Sequence, residues 1–310
     1  MTREVLGRWL DTGLDRSVIG GYPRFGLAAR RRLPGWPPDA PPGALTGRTA
    51  IVTGASSGLG AATAAAFARL GAAVRLVVRD TAKGERIAAS IDGDVLVSRC
   101  DVSDLADVRR FAGTVGAADV LVHNAGVLPA ERTTTPQGHE TALATHVLGP
   151  LLMTELLGPV LAGGRVVFVS SGGMYTQKLP LDDPEYTRGG YRGAAAYARS
   201  KRIQVALVPL LAQRWPGITV AATHPGWADT PGVAGSLPGF HRLTRPFLRD
   251  SDEGADTTVW LGATEPAPPS GLFWHDRRAR NPHLVPWTRH GAAASRTMFE
   301  WCAEAVGLMH

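Results

Sequence analysis

The chain has 310 residues, 44% of them hydrophobic, and a mean hydropathy of −0.03, enough for a large packed core and against a disordered chain. Its formal net charge is +6, yet only Lys83, Lys178 and Lys201 are lysines and no basic run is interleaved with aromatic residues, so no nucleic-acid partner is expected. Cys100 and Cys302 are too few for a disulfide framework or a metal cluster, and no apolar leader or stretch of about twenty apolar residues is read, so a cytoplasmic location is expected and no metal.

Residues 1–46 form an extension ahead of the core. Val5, Leu6, Trp9, Leu10 and Leu14 recur at helical spacing, with Arg3, Glu4, Arg8 and Asp11 on the other side, which predicts an amphipathic helix. Arg30-Arg31-Arg32 and the proline-rich PGWPPDAPPG then make a stiff connector. Two readings stay open. The helix within residues 1–20 lies on an anionic membrane surface, making the protein peripheral there, or it packs on its own domain or a second subunit.

Residues 47–310 read as one α/β unit. Apolar runs at 49–53, 73–78, 95–98, 119–122, 165–169 and 218–222 alternate with helical patterns near 58–70, 81–91, 104–114, 137–162 and 194–214. Residues 271–276 read as a last strand and 292–310 as a closing helix. Such alternation predicts a single Rossmann-type, doubly wound parallel sheet of about seven strands with an N-terminal helical extension, and ligands at the carboxyl ends of the strands.

The first strand runs into TGASSGLG and then a helix-forming stretch. Gly54, Ser56, Ser57, Gly58, Leu59 and Gly60 would lay backbone N–H groups and the positive end of a helix dipole against a pyrophosphate; the alternative is a turn needed only for strand–helix packing. No Gly-Lys-Ser/Thr follows, against a nucleotide-hydrolysing loop. Arg79 comes first after the second strand, where an arginine would fork onto a ribose 2′-phosphate, so NADP(H) is preferred; Asp80 would serve NAD(H). Asp101 and Val102 after the third strand would meet the adenine, although Asp101 or Ser103 would equally serve as a helix cap. Asn124, Ala125 and Gly126 end the fourth strand, where Asn124 would tie neighbouring strands and the small residues leave room for a cofactor; a plain turn fits this piece alone.

Ser171 ends the fifth strand, and Tyr197 and Lys201 stand one helical turn apart. A tyrosine hydroxyl titrates near pH 10 (about 10) and needs a nearby positive charge to act as a base at neutral pH. Lys201 and an oxidised nicotinamide would provide it, with Ser171 holding the substrate oxygen and Tyr197 moving the proton.

Taken together these segments resemble the short-chain dehydrogenase/reductases: TGASSGLG, HNAG, SSGG and YARSK match that family's ordered motifs over roughly residues 45–280. The resemblance implies that Ser171 orients substrate, that Tyr197 is the acid/base, and that Lys201 binds the ribose and lowers the tyrosine pKa. It also implies that Pro225, Gly226 and Thr230 lie by the nicotinamide and that the protein is a homodimer or homotetramer. His146 stands where the family places a proton-relay asparagine; it either serves the relay, with a pH dependence of its own, or is a neutral structural substitute. His123 replaces the first asparagine of the family's N-N-A-G. Residues 231–250 would be a mobile lid and 172–196, with Met174, Leu179, Leu181, Tyr186 and Tyr191, the facing wall of an apolar substrate site, unless both are oligomer contacts. The expected function is an NADP(H)-dependent oxidoreductase interconverting a carbonyl and an alcohol on an apolar small molecule; the alternative is a catalytically silent NADP-binding sensor or scaffold.

Overall fold

The structure, a computed structural model, describes residues 3–229, 239, 242 and 244–308. Its centre is a sheet whose strands are β1 (Thr49–Thr53), β2 (Ala73–Val78), β3 (Val95–Arg99), β4 (Val120–His123), β5 (Arg165–Val169), β6 (Thr219–Thr223), β7 (Leu272–His275) and β8 (Arg278–Ala279). They lie in the order β3-β2-β1-β4-β5-β6-β7-β8. The first seven are parallel, and the two-residue β8 adds an antiparallel edge through the Trp274↔Ala279 and His275↔Arg278 pairs. The sheet therefore has eight strands where about seven are expected, because Asp276 and Arg277, at φ 50° and 55°, turn the chain back on itself in a two-residue hairpin.

The β-branched, apolar strand centres are buried on both faces, as a parallel sheet requires. One face is covered by α4 (Gly58–Arg69), α5 (Thr81–Ala88) and α10 (Ser251–Ala263), which bring Ala64, Phe67 and Leu261 onto Val52, Leu76 and Val122. The other is covered by α6 (Leu105–Ala112), α8 (Gly149–Leu157), α9 (Gly193–Arg214) and α11 (Ala292–Ala305), with Val108, Leu151, Ile203 and Met298 against Leu121 and Phe168. No helix is expected at 251–263, but Asp250 and Glu253 form a reciprocal capping box that starts one there. The helix expected at 137–162 is broken into α7 (Thr141–Leu143), a π-helical turn (Ala144–Leu148) and α8. Its apolar span, Thr141–Leu161, is long enough to cross a membrane, and 83% of the most apolar window lies buried inside the fold.

The extension holds three helices, α1 (Arg3–Arg16), α2 (Val18–Gly21) and α3 (Arg24–Arg31). Arg30, expected in a connector, closes α3 at 1% exposure and donates to Asp11 (3.0 Å), to the Gly21 carbonyl (2.7 Å) and to Asp276 (2.5 Å). Arg249 meets the same Asp276 with both terminal nitrogens, at 2.6 and 2.9 Å. These pairs hold the extension against the β7–β8 hairpin.

Candidate active site

Gly54 follows β1 at φ 66°, and a side chain there would sit 2.6 Å from Ala125 Cα; on Gly60 it would meet the Gly54 carbonyl at 2.4 Å. Only glycine lets α4 start this close to the strand ends. Ser57, the residue before α4, makes no side-chain cap, whereas Asp80, Asp104 and Asp250 cap α5, α6 and α10 with their carboxylates. The α4 terminus thus keeps its first-turn N–H groups and its positive dipole end free of a protein anion, the arrangement a pyrophosphate needs. Ser56, Gly58 and Leu59 complete this turn.

Around the cradle each remaining residue has a definite place. Asp80 is spent on the α5 cap, accepting from Lys83 N–H at 3.0 Å, while Arg79 is exposed and makes no ion pair among the described residues. Asp101 accepts from the Ser103 N–H (2.9 Å) and hydroxyl (2.7 Å) and caps nothing; the α6 cap is Asp104, which neither candidate predicts. Val102 is buried beside it. Asn124 Nδ2 donates to the Thr53 and Gly54 carbonyls at 3.0 and 3.3 Å, and Thr53 Oγ1 accepts from the Asn124 and Ala125 N–H groups at 3.0 and 3.1 Å, locking β4 to β1 beneath Gly126. Thr53 is a site residue the sequence reading overlooks, although its place at the end of β1 was a usable signal.

Ser170 and Ser171 divide the end of β5 between them. Ser170 is buried and donates to the Lys201 carbonyl (3.0 Å), whereas Ser171, part-exposed, begins a short 3-10 turn and accepts from Gly173 N–H (3.1 Å). Tyr197, on the first turns of α9, has its pKa raised by burial and held back by the Ser171 hydroxyl. Lys201 is buried, its ammonium pushed down to about 7 by desolvation, and its Nζ donates to the Val169 carbonyl at 2.7 Å, 5.6 Å from the Tyr197 ring centre. The Lys201 charge is directed at a strand-end carbonyl, and the Tyr197 shift is set by burial and the Ser171 hydroxyl.

His146 sits in the π-helical turn at 0% exposure, edge-on to Tyr197 with ring centres 5.2 Å apart. Its Nε2 lies 3.0 Å from Val127 N–H, which can only donate, so the proton is on Nδ1 and is given to Ser200 Oγ at 2.8 Å. Ser200 in turn donates to the Tyr197 carbonyl (2.8 Å), and the His146 carbonyl accepts from Gln204 (2.6 Å). Burial, with Lys201 as the lesser cause, holds the imidazole well below its usual pKa. With both nitrogens engaged and the ring neutral, the geometry favours the structural alternative and gives no titration near the ordinary histidine range. Ser200, inside YARSK, was legible as its partner only once the fold brought helix and π-turn together.

Gly226, at φ 75°, follows Pro225 after β6; the Pro225 carbonyl accepts from Arg249 (3.2 Å) and the Gly226 N–H donates to His224 Nδ1 (3.2 Å). Thr230 and most of the expected lid, 230–238, 240, 241 and 243, lie outside the described residues. The expected wall needs correction: Met174 and Leu179 are buried in the core, Tyr191 donates to Glu140 (2.8 Å), and Leu181 is the exposed apolar side chain of the five. Two more residues were out of reach of sequence reasoning. Tyr22 of the extension lies 2.9 Å from where a side chain on Gly172 would begin, stacks near His224 at 4.6 Å, and accepts at its carbonyl from Trp227 N–H at 3.0 Å; Arg249 joins it through Gly21.

A phosphate cradle at one strand end, with serine, tyrosine and lysine converging at the neighbouring ones, defines an NAD(P)-dependent oxidoreductase acting between CH–OH and C=O groups. The chain belongs to the short-chain dehydrogenase family, whose model matches residues 48–238. It is 40% identical over 289 residues to dehydrogenase/reductase SDR family member 12 of Bos taurus, covering 89% of either chain. It is 35% identical over 281 residues to human retinol dehydrogenase 12, covering 85% of this chain and 88% of that one. Among solved structures it resembles an assigned NAD(P)-dependent gluconate 5-dehydrogenase from Beutenbergia cavernae that holds NADP at low occupancy, with TM-score 0.60, 26% identity, and coverage of 75% of this chain and 96% of that one.

Proposed function

We propose that the protein is an NADP(H)-dependent reductase or dehydrogenase of an apolar carbonyl or alcohol, with Tyr197 as acid/base. The observation that carries this is Tyr197 beside the Ser171 hydroxyl at the strand ends, next to an uncapped helix start. Gly54 through Gly60 and Asn124 through Gly126 would hold the dinucleotide, and Pro225, Gly226 and Thr230 would flank its nicotinamide. When bound, the cofactor supplies the hydride or accepts it.

The rest is done by the protein. Ser171 orients the substrate oxygen through its hydroxyl, and Tyr197 Oη gives that oxygen a proton in reduction or takes one in oxidation. Lys201 keeps the proton-donating end of the pocket positive when protonated. The preference for NADP(H) is supported by Arg79 making no ion pair among the described residues and by Asp80 being committed to its cap. An apolar substrate is supported by the likeness to a retinol dehydrogenase, a protein whose name specifies such a substrate.

The test is titration of the purified protein with NADPH and NADH, followed by a carbonyl and alcohol screen read at the nicotinamide absorbance. NADPH is expected to bind more tightly, and Arg79→Ala to weaken it by roughly tenfold to a hundredfold, the loss of a charge-assisted contact. Tyr197→Phe is expected to cut turnover by about 10²–10⁴-fold with cofactor binding intact. Equal affinity for the two cofactors would remove the NADP assignment; full turnover in Tyr197→Phe would remove the tyrosine mechanism.

A further inference from the structure

The helix α1 is mounted with its polar side inward. Asp11 is 3% and Asp15 8% exposed, and they meet Arg280 at 2.7 Å and 3.3 Å; Asp11 also takes the Arg30 bond. Gly7 is buried as well, leaving only 2.9 Å between its would-be side chain and the Pro34 carbonyl. The apolar side faces out: Leu6 is 45%, Trp9 70% and Leu10 50% exposed. Rotating that stripe inward would strip two buried carboxylates of their arginines, so the outward setting is fixed by the fold.

What covers this stripe follows from its charges. Counting on from Leu6 and Trp9 at helical spacing, Arg16 falls beside Trp9, and Arg8, on the polar side by the same count, is exposed at the rim where Asp15 turns inward. Among the described side chains of α1 the acids, Asp11 and Asp15, are turned away. A second copy of this face would bring no carboxylate to these arginines, since a two-fold contact pairs a patch with itself. The exposed apolar side chains of α1, Val5, Leu6, Trp9 and Leu10, also fall far short of the about 20–30 residues per side of a stable protein interface. An anionic bilayer supplies both missing parts, phosphates for Arg8 and Arg16 and an apolar boundary for leucine and an indole ring. We propose that the outer face of α1 docks the protein on a lipid surface carrying anionic headgroups. This goes beyond the catalytic reading and does not depend on it.

The experiment is co-flotation of the full chain with phosphatidylcholine vesicles and with phosphatidylcholine–phosphatidylserine vesicles, with size-exclusion light scattering alongside. The protein is expected to float with the anionic vesicles and not with the neutral ones, and to be released by salt. Trp9→Ser is expected to weaken that binding by about tenfold or more, and Arg16→Glu by about fivefold or more, a loss of roughly 1 kcal/mol per basic residue at an anionic surface. Both variants change exposed side chains, and an unaltered melting temperature and NADPH affinity shows that they fold. Failure to float with anionic vesicles, equal flotation with neutral ones, or a wild-type dimer that Trp9→Ser converts to monomer would each overturn the proposal.

Discussion

Two buried polar assemblies occupy the same side of this molecule and are built on opposite terms. Around Asp276 every charge has a counter-charge: Arg30 and Arg249 share its two oxygens, and Arg280 meets Asp11 and Asp15. The paired arginines keep the Asp276 carboxyl below its usual range despite full burial. Around Tyr197 there is a buried cation that, among the described residues, has no carboxylate beside it: Lys201 donates to a carbonyl, and its pKa falls. The first arrangement fixes a conformation, whereas the second leaves a proton loosely held where the proposed reaction would move one. Polar burial by itself does not mark an active site; incompletely compensated burial does.

This contrast can be broken in three places. The largest effect is expected from Asp276→Asn, which leaves two buried guanidiniums short of a counter-charge and should lower unfolding free energy by about 3–5 kcal/mol, read by chemical denaturation. A loss under 1 kcal/mol (about 1) would mean that the cluster behaves like a surface pair.

Lys201→Met acts in the other direction. Because the folded pKa is lowered to about 7 from 10.5, the unfolded chain binds the extra proton between those values, and wild-type stability should rise with pH across that window. Below about pH 7 both states are protonated and the burial cost is fully present. The wild-type minus Lys201→Met difference in stability is therefore expected to grow by on the order of a few kcal/mol from pH 7 to pH 10, and a pH-independent difference would refute the assignment. The smallest effect concerns His146→Asn. With a neutral imidazole at every working pH, the variant's turnover profile should show no lost inflection near pH 6.5 (about 6.5); an inflection that disappears with the histidine would restore it to the proton path.

The alternation of strands and helices was legible because each element carries its own period, and β1, β2 and β5 fall at the expected residues. The cradle was legible for a related reason: Gly54 and Gly60 are demanded by backbone approach over a short stretch of chain. Helix α10 was also within reach through Asp250 and Glu253, although its weakly periodic SDEGADTTVWLGA hid it. Other features depend on partners distant in sequence. The helical period of α1 gives the apolar stripe but not which side faces inward, since that is decided by Arg30 and Arg280. Likewise, Met174 and Leu179 read as pocket lining until the packing against α9 and the sheet places them in the core. Tyr22 carries no local motif at all, and its role exists only because Gly172 and His224 arrive beside it.

The bond from Arg30 to Asp276 spans 246 positions. During synthesis the extension emerges first but lacks Asp276 and Arg280 until the β7–β8 hairpin leaves the ribosome, when nearly all of the sheet has been made. Until then Arg30 has Asp11 and the Gly21 carbonyl but not Asp276, and Asp11 lacks Arg280. The loop after β6 is thus finished with the help of the earliest residues, so a nascent or C-terminally shortened chain would carry an assembled cradle before it carried a braced β6 loop.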